Sequence, residues 1–280
     1  MEVDRVETIG TGTVIQHGKK NDRIFLMHLE KRDCPEVLQL LKEIARENHY
    51  SKIFCKVPGW AAPFFFSDGY LTEAYIPQFF NSDEPVFFVS KFLNSDRLLS
   101  IENDRLIELG KLLGSRRETG KKASNLPLNS KVRKLNGDDV DHIAEVYKKI
   151  FQSYPFPIYN PGYIRESMEK NVRYYGVKKK GKIVALASVG VDQKGANAEL
   201  NDFAVLPDHR GRRLAQKLLG KMEKEMKLMG IHTLYTIARM NSPAMNRTII
   251  NVDYNYAGTL IRNTHISGEI ESMNVFYKHL

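Results

Sequence analysis

The stretch from Ala198 to Met229 constrains this chain more than any other. It opens with a mixed apolar and polar run, Glu199 to Leu206, that Pro207 ends as it would end a strand. A tight polar turn follows, Asp208-His209-Arg210-Gly211-Arg212-Arg213. Beyond it Leu214, Leu218, Met222, Met226 and Met229 recur at helical spacing, with lysines between them. The pattern predicts strand, basic glycine-bearing turn, helix. Such a turn aims unpaired backbone N–H groups and the positive end of a helix dipole at one point, which suits a phosphate or pyrophosphate. A basic helix start that binds nothing is the plainer alternative.

The bulk numbers exclude several classes. No apolar run approaches the ~18 residues of a membrane span, and the N-terminus lacks a signal-peptide core, so a cytoplasmic protein without a membrane partner is expected. Two cysteines, Cys34 and Cys55, make neither a disulfide framework nor a zinc site, and the histidines show no ligand spacing, so no metal is expected. The net charge of +9 suits nucleic acid or an anionic cofactor. Its basic residues are scattered and lack interleaved aromatics, so no nucleic-acid partner is expected. Lys178-Lys179-Lys180 before Gly181 reads as a solvated hairpin tip.

Periodicity divides the chain into residues 1–115, a polar linker at 116–130 and residues 131–280. The last part reads β-α-α-β-β-β-α-β-α-β-β, an α/β layout around a mixed sheet. Within it Ser153 to Tyr159 is too rich in proline for a helix and reads as a loop. In the first part Asp33, Pro35 and Glu36 predict a capped helix start, and residues 97–114 read as one helix. Strand, helix, strand, short helix, strand, strand over 23–92 echoes 198–280, with Asp68-Gly69-Tyr70 falling where Val252-Asp253-Tyr254 falls. The first copy lacks the basic turn. Its helix opens on Asp33-Cys34-Pro35-Glu36, which repels phosphate.

The run Arg210-Gly211-Arg212-Arg213-Leu214-Ala215 resembles the R-x-x-G-x-G/A signature of the GNAT acetyltransferase superfamily, and the element order of 131–280 is similar to that of the same superfamily. Arg213 departs from the pattern, standing where the family has its middle glycine. The resemblance implies a mixed central sheet flanked by helices, preceded here by a degenerate, non-catalytic half-copy. It also implies acetyl-CoA as cosubstrate. Phe203, Ala204, Val205, Arg210, Gly211, Arg212, Arg213, Leu214, Ala215, Asn241 and Asn246 are then the expected contacts to it.

Acetyl transfer to an amine needs a neutral amine. A lysine-like amine is neutral at pH 7 only on the order of one time in a thousand, so a carboxylate must take its proton. Glu199 and Asp202 are the candidates. Three residues apart, they fall on opposite faces of an ideal strand. Glu199 matches the family's base glutamate in its spacing before Val205, which leaves Asp202 as substrate contact or second base. Many relatives protonate the leaving thiolate with a helix tyrosine. Here that position holds Thr248 or Ile249, which leaves Tyr254, Tyr256, Asn246 or water.

Further segments resemble the β-lysine N-acetyltransferase family: Tyr154 to Ile158, Gly69 to Ala74, Tyr256 to Ile266 and Glu271 to Lys278. That resemblance implies acetylation of the side-chain amine of β-lysine to the osmolyte N-ε-acetyl-β-lysine. Its small-molecule amine would meet Glu199, Asp202, Glu269 and Glu271 as acids, Arg239, Arg262 or Lys278 at the carboxylate, and Tyr154, Phe156 and Tyr159 along the stem. Another amine acceptor, or a nucleic-acid-binding module without catalysis, are the rival readings.

Overall fold

A computed structural model describes residues 4–119 and 131–280. The first half runs β1 (Arg5–Ile9), β2 (Thr13–Gly18), β3 (Arg23–His28), α1 (Val37–Glu47), β4 (Lys52–Pro58), α2 (Ala62–Ser67), β5 (Leu71–Phe80), β6 (Glu84–Phe92), α3 (Ser95–Leu99) and α4 (Asn103–Thr119). The second runs β7 (Val132–Lys134), α5 (Val140–Ile150), α6 (Pro161–Lys170), β8 (Val172–Lys179), β9 (Lys182–Asp192), β10 (Asn197–Val205), α7 (Leu214–Leu228), β11 (Thr233–Arg239), α8 (Pro243–Ile250), β12 (Asn255–Ile266) and β13 (Glu269–His279). Most of the linker, residues 120–130, lies outside the described residues.

The strands among the described residues form one sheet, in the order β1-β2-β3-β4-β6-β5-β12-β13-β11-β10-β9-β8-β7. Its two halves repeat one plan. Only β3/β4 and β10/β11 are parallel, each pair joined through a helix, α1 or α7. The register repeats too. One rung reads Phe25-Phe54-Ser90-Leu71 across the first half and Glu199-Tyr235-Tyr277-Asn255 across the second. Both copies carry a bulge at the same place, between Thr72 and Ala74 and between Tyr256 and Gly258. The echo read over 23–92 therefore extends back to β1 and β2, which answer β8 and β9.

The halves join where β5 meets β12, through the pair Ala74–Gly258. Each is the fourth residue of its strand, so equivalent positions face each other across an approximate two-fold axis. A Cβ on Gly258 would lie 2.1 Å from the Glu73 carbonyl oxygen, and its φ is 153°. Only glycine lets the two backbones approach there. Beside this seam a buried ion pair, Lys52 Nζ to Glu73 Oε2 at 2.9 Å, grips both backbone groups of Ile261.

Helix α7 buries Leu214, Leu218, Leu219, Met222 and Met226 on one sheet face, while α5 and α6 cover the other with Ile143, Tyr147 and Ile164. Two local expectations differ from the fold. Asp33 caps no helix: its carboxylate accepts from the backbone N–H and hydroxyl of both Thr11 and Thr13, and α1 starts only at Val37. These four donors hold the Asp33 carboxyl well below the ordinary range. The helix expected over 97–114 is broken at Ser100. There the buried Arg97 guanidinium turns inward to the carbonyls of Asn21, Asp22 and Arg262.

Candidate active site

Strands β10 and β11 pair only from Asn197–Thr233 to Glu199–Tyr235 and then diverge. On the other edge of β10 the register to β9 shifts between Asn201 and Ala204, where Asp202 takes a left-handed φ of 57°. That bulge bends β10 away from β11 and leaves its facing edge without a ladder. The opening is a cavity of about 650 Å³, within the size range of small-molecule sites. The bulge also resets the side-chain alternation. Glu199 and Asp202, expected on opposite faces of an ideal strand, line the same cavity.

One end of the cavity is the basic turn. Arg210, Gly211, Arg213, Leu214 and Ala215 line it together with Phe203 and Val205. Gly211 has φ 72°. Arg213, the departure from the family pattern, sits at the N-cap of α7 with φ 55° and ψ 28°. It occupies the left-handed region that its glycine counterpart would enter freely. No side chain caps α7, so its first N–H groups stay open toward the cavity. The other expected contacts stand elsewhere. Ala204 is fully buried beneath the strand, Arg212 is exposed with Nη2 donating to the Asp208 carbonyl at 3.3 Å, and Asn241 lies off the cavity wall. Asn246 is buried, donating to the carbonyls of Arg239 and Ser242 and accepting from Asn274, so it pins the turn before α8.

At the centre stands Glu199. Its Oε2 accepts from the Tyr235 hydroxyl at 2.9 Å, and that hydroxyl lies 3.4 Å from Lys56 Nζ on β4. Burial raises the Glu199 pKa above the ordinary carboxylate range, while Lys56 and the Tyr235 hydrogen bond pull against it. Asp202 is also raised by burial, against hydrogen bonds from Ser188 and Tyr154. Both of its oxygens are engaged, Oδ1 by Tyr154 and Oδ2 by Ser188. Glu199 keeps the freer carboxylate.

The far end mixes expected and unexpected residues. Tyr154 and Phe156 line it, on the proline-rich loop. Arg239 lines it as well, but its Nε and Nη2 are held by both carboxylate oxygens of the buried Glu271. Arg262 and Glu271 are not part of the wall, and Lys278 pairs with Glu223. The wall is completed by residues that sequence reasoning did not single out: Arg23, Phe25 and Phe54 from the first half, and Asn263 and Thr264 from β12. A lone arginine in an apolar strand carries no sequence signal. Only the shared sheet brings it to this cavity.

Residues 140–247 match the acetyltransferase (GNAT) family. Over nearly its whole length the chain is also similar to the β-lysine N(6)-acetyltransferase of Methanococcus maripaludis, with 35% identity covering 95% of this chain and 96% of that protein. The chain belongs to the acetyltransferase (GNAT) family. Two further relatives are similar over most of their lengths. The β-lysine N(6)-acetyltransferase of Methanosarcina mazei is 28% identical over 88% of this chain and 97% of its own. The N-acetyltransferase YodP of Bacillus subtilis is 26% identical over 98% of both.

GNAT enzymes take their acetyl group from acetyl-CoA, and the residues present fit it. The uncapped start of α7 and the arginines beside it suit the pyrophosphate, and the unpaired edges of β10 and β11 suit an amide-bearing arm. None of Tyr254, Tyr256 and Asn246, the side chains expected to protonate the leaving thiolate, lines the cavity; Thr248, at the family's tyrosine position, does, and its hydroxyl donates to the Ala244 carbonyl at 2.8 Å. Ser242 is a second hydroxyl on that wall.

Proposed function

We propose that this GNAT enzyme acetylates the side-chain amine of β-lysine, with Glu199 as the general base. The base assignment rests on one observation: a half-buried carboxylate, raised by burial, in the opening of β10 and β11 between the basic turn and the aromatic wall. The substrate reading is supported by the full-length similarity to two proteins of that name.

Acetyl-CoA supplies an acetyl group already activated as a thioester. Gly211, Arg213, Leu214 and Ala215 hold its pyrophosphate, and the free edge of β10 near Val205 offers a backbone N–H to the acetyl oxygen. Glu199 takes the proton from the arriving ammonium, so that the amine attacks neutral. A carboxylate raised toward neutrality is better matched to that task than one at its ordinary value. Tyr235 fixes the Glu199 carboxylate, and Tyr154, held by Asp202, walls the amine's path with Phe151 and Phe156. Asp202 thus acts on the wall rather than as a second base.

The test is a panel of β-lysine, α-lysine, ornithine and spermidine with acetyl-CoA, read as CoA release and product mass. Preferential acetylation of β-lysine at its side-chain nitrogen is the expected result. Equal or better turnover of spermidine contradicts the substrate.

A further inference from the structure

The acceptor end of the cavity holds an arginine that forms no ion pair among the described residues. Arg23 is 4% exposed, yet no carboxylate among the described residues lies within ion-pairing distance of it. Its hydrogen bond is one long contact, Nη1 to the Thr264 hydroxyl at 3.4 Å, and its Nε is buried without a partner. The guanidinium lies 5.4 Å from the ring centroids of both Phe25 and Phe54, which soften its desolvation without satisfying its N–H groups. Burial and the neighbouring Arg97 lower its pKa to about 9, with Asp4 and Glu73 pulling the other way from beyond ion-pairing distance. A buried charge in this condition is costly unless something pairs with it. Beside it Asn263 is 2% exposed, lines the same cavity and has an Oδ1 without a partner.

The surroundings fix both groups. Three residues of β12, Ile261 to Asn263, bulge out between Leu260–Met273 and Thr264–Glu271. The Lys52–Glu73 pair grips that bulge at Ile261, Arg97 grips the Arg262 carbonyl, and the Asn21 Oδ1 accepts from His265 N at 2.6 Å. Meanwhile Arg239, the other arginine on the wall, is already paired with Glu271. Among the described residues at this end of the cavity, Arg23 is the cation without an ion pair and Asn263 carries the buried amide oxygen without a partner.

We infer that Arg23 and Asn263 form the head-group subsite of an amino-acid acceptor, the guanidinium taking its carboxylate and the Asn263 carbonyl oxygen taking its second ammonium. This rests on the proposed amino-acid N-acetyltransferase activity and names the residues that make it selective for a carboxylate. The planar fork suits a bidentate carboxylate, and pairing there compensates a buried charge that the described residues leave without an ion pair. The first half thus supplies the anchor that the second half lacks.

The experiment compares kcat/KM for β-lysine, α-lysine and ornithine with that for their carboxamides, which keep the shape and lose the charge. Wild type is expected to prefer the carboxylate form of its best acceptor by about 10- to 100-fold. Arg23→Gln should bring that ratio close to one, chiefly by raising KM for the carboxylate form. The rise in Tm on adding acetyl-CoA should persist and reports that the variant folds. Should Arg23→Gln fail to fold, Arg23→Lys keeps the charge, loses the fork, and should still reduce the preference severalfold. A wild-type preference that survives both substitutions overturns the subsite and leaves the acetyltransferase reading standing. Arg23-dependent preference for α-lysine over β-lysine keeps the subsite and overturns the β-lysine reading. Wild-type turnover of carboxamides equal to that of the acids overturns the subsite and leaves the β-lysine reading to the acceptor panel.

Discussion

The two halves of the sheet share strand order, register and even a bulge, yet they place different side chains at matched positions. On the shared rung the second half carries Glu199 and Tyr235, and the first carries Phe25 and Phe54. Where the second half turns through Arg210, Gly211 and Arg213 into an uncapped helix, the first passes Asp33 to Glu36, with Asp33 tied back to Thr11 and Thr13. The first half has instead become a support. Phe25 and Phe54 line the cavity, Lys56 reaches Tyr235, and Gln16 and Lys20 hold the carbonyls of Pro155 and Tyr154 on the aromatic loop. A copied fold keeps its sheet because backbone pairing and a packed core are needed in both halves. Its site is free to change, since one set of catalytic groups is enough.

That contrast can be broken at its strongest point first. Glu199→Gln should lower kcat/KM by about 10²- to 10⁴-fold at neutral pH. The deficit should shrink at high pH, where the amine is already neutral; a loss independent of pH contradicts the base role. The seam comes next. Gly258→Ala drives a Cβ into the Glu73 backbone and should cost about 3 kcal/mol, measured as the shift in the urea midpoint. An unchanged midpoint would mean that the two halves do not depend on this close approach. The support role of Lys56 gives a smaller effect. Lys56 lowers the Glu199 pKa, so Lys56→Met raises it, and the acid limb of the pH–rate profile should move to higher pH. A shift to lower pH, or none, removes Lys56 from the site. The smallest effect is expected at Arg213→Gly. Relief of the left-handed φ, less the added freedom of the unfolded chain, should stabilise by about 0.5–1 kcal/mol. Loss of the cation should weaken acetyl-CoA binding at the same time.

Much of this was legible beforehand because local signals agreed. Pro207, the glycine-bearing turn and the Leu214 to Met226 stripe mark β10, the turn and α7, and the structure begins α7 at Leu214. The element order read for 131–280 is the one the structure shows, with Pro161 and Pro243 each the first residue of a helix. What sequence could not carry was anything set by a bulge or by a distant partner. Period-two alternation put Asp202 opposite Glu199, and one inserted residue in β10 reversed that. Arg239 and Glu271 both read as free substrate contacts, because their pairing depends on the β11/β13 register rather than on spacing. Asn246 read as a cofactor contact, yet its amide closes the turn before α8. Arg23, far from every motif in sequence, reaches the cavity only because both halves share one sheet.

If the basic turn before α7 is the acetyl-donor site, one half of the sheet binds acetyl-CoA and the other does not. Calorimetric titration of acetyl-CoA tests it directly, in wild type and in Gly211→Asp. The added Cβ meets nothing within 4 Å, but φ 72° strains any side chain there, so Gly211→Asn, with the same strain and no charge, is the control that isolates the charge against the pyrophosphate. One acetyl-CoA bound per chain is expected in wild type, and binding weakened by at least about tenfold in Gly211→Asp. Two sites per chain, or unchanged affinity in the variant, would contradict it.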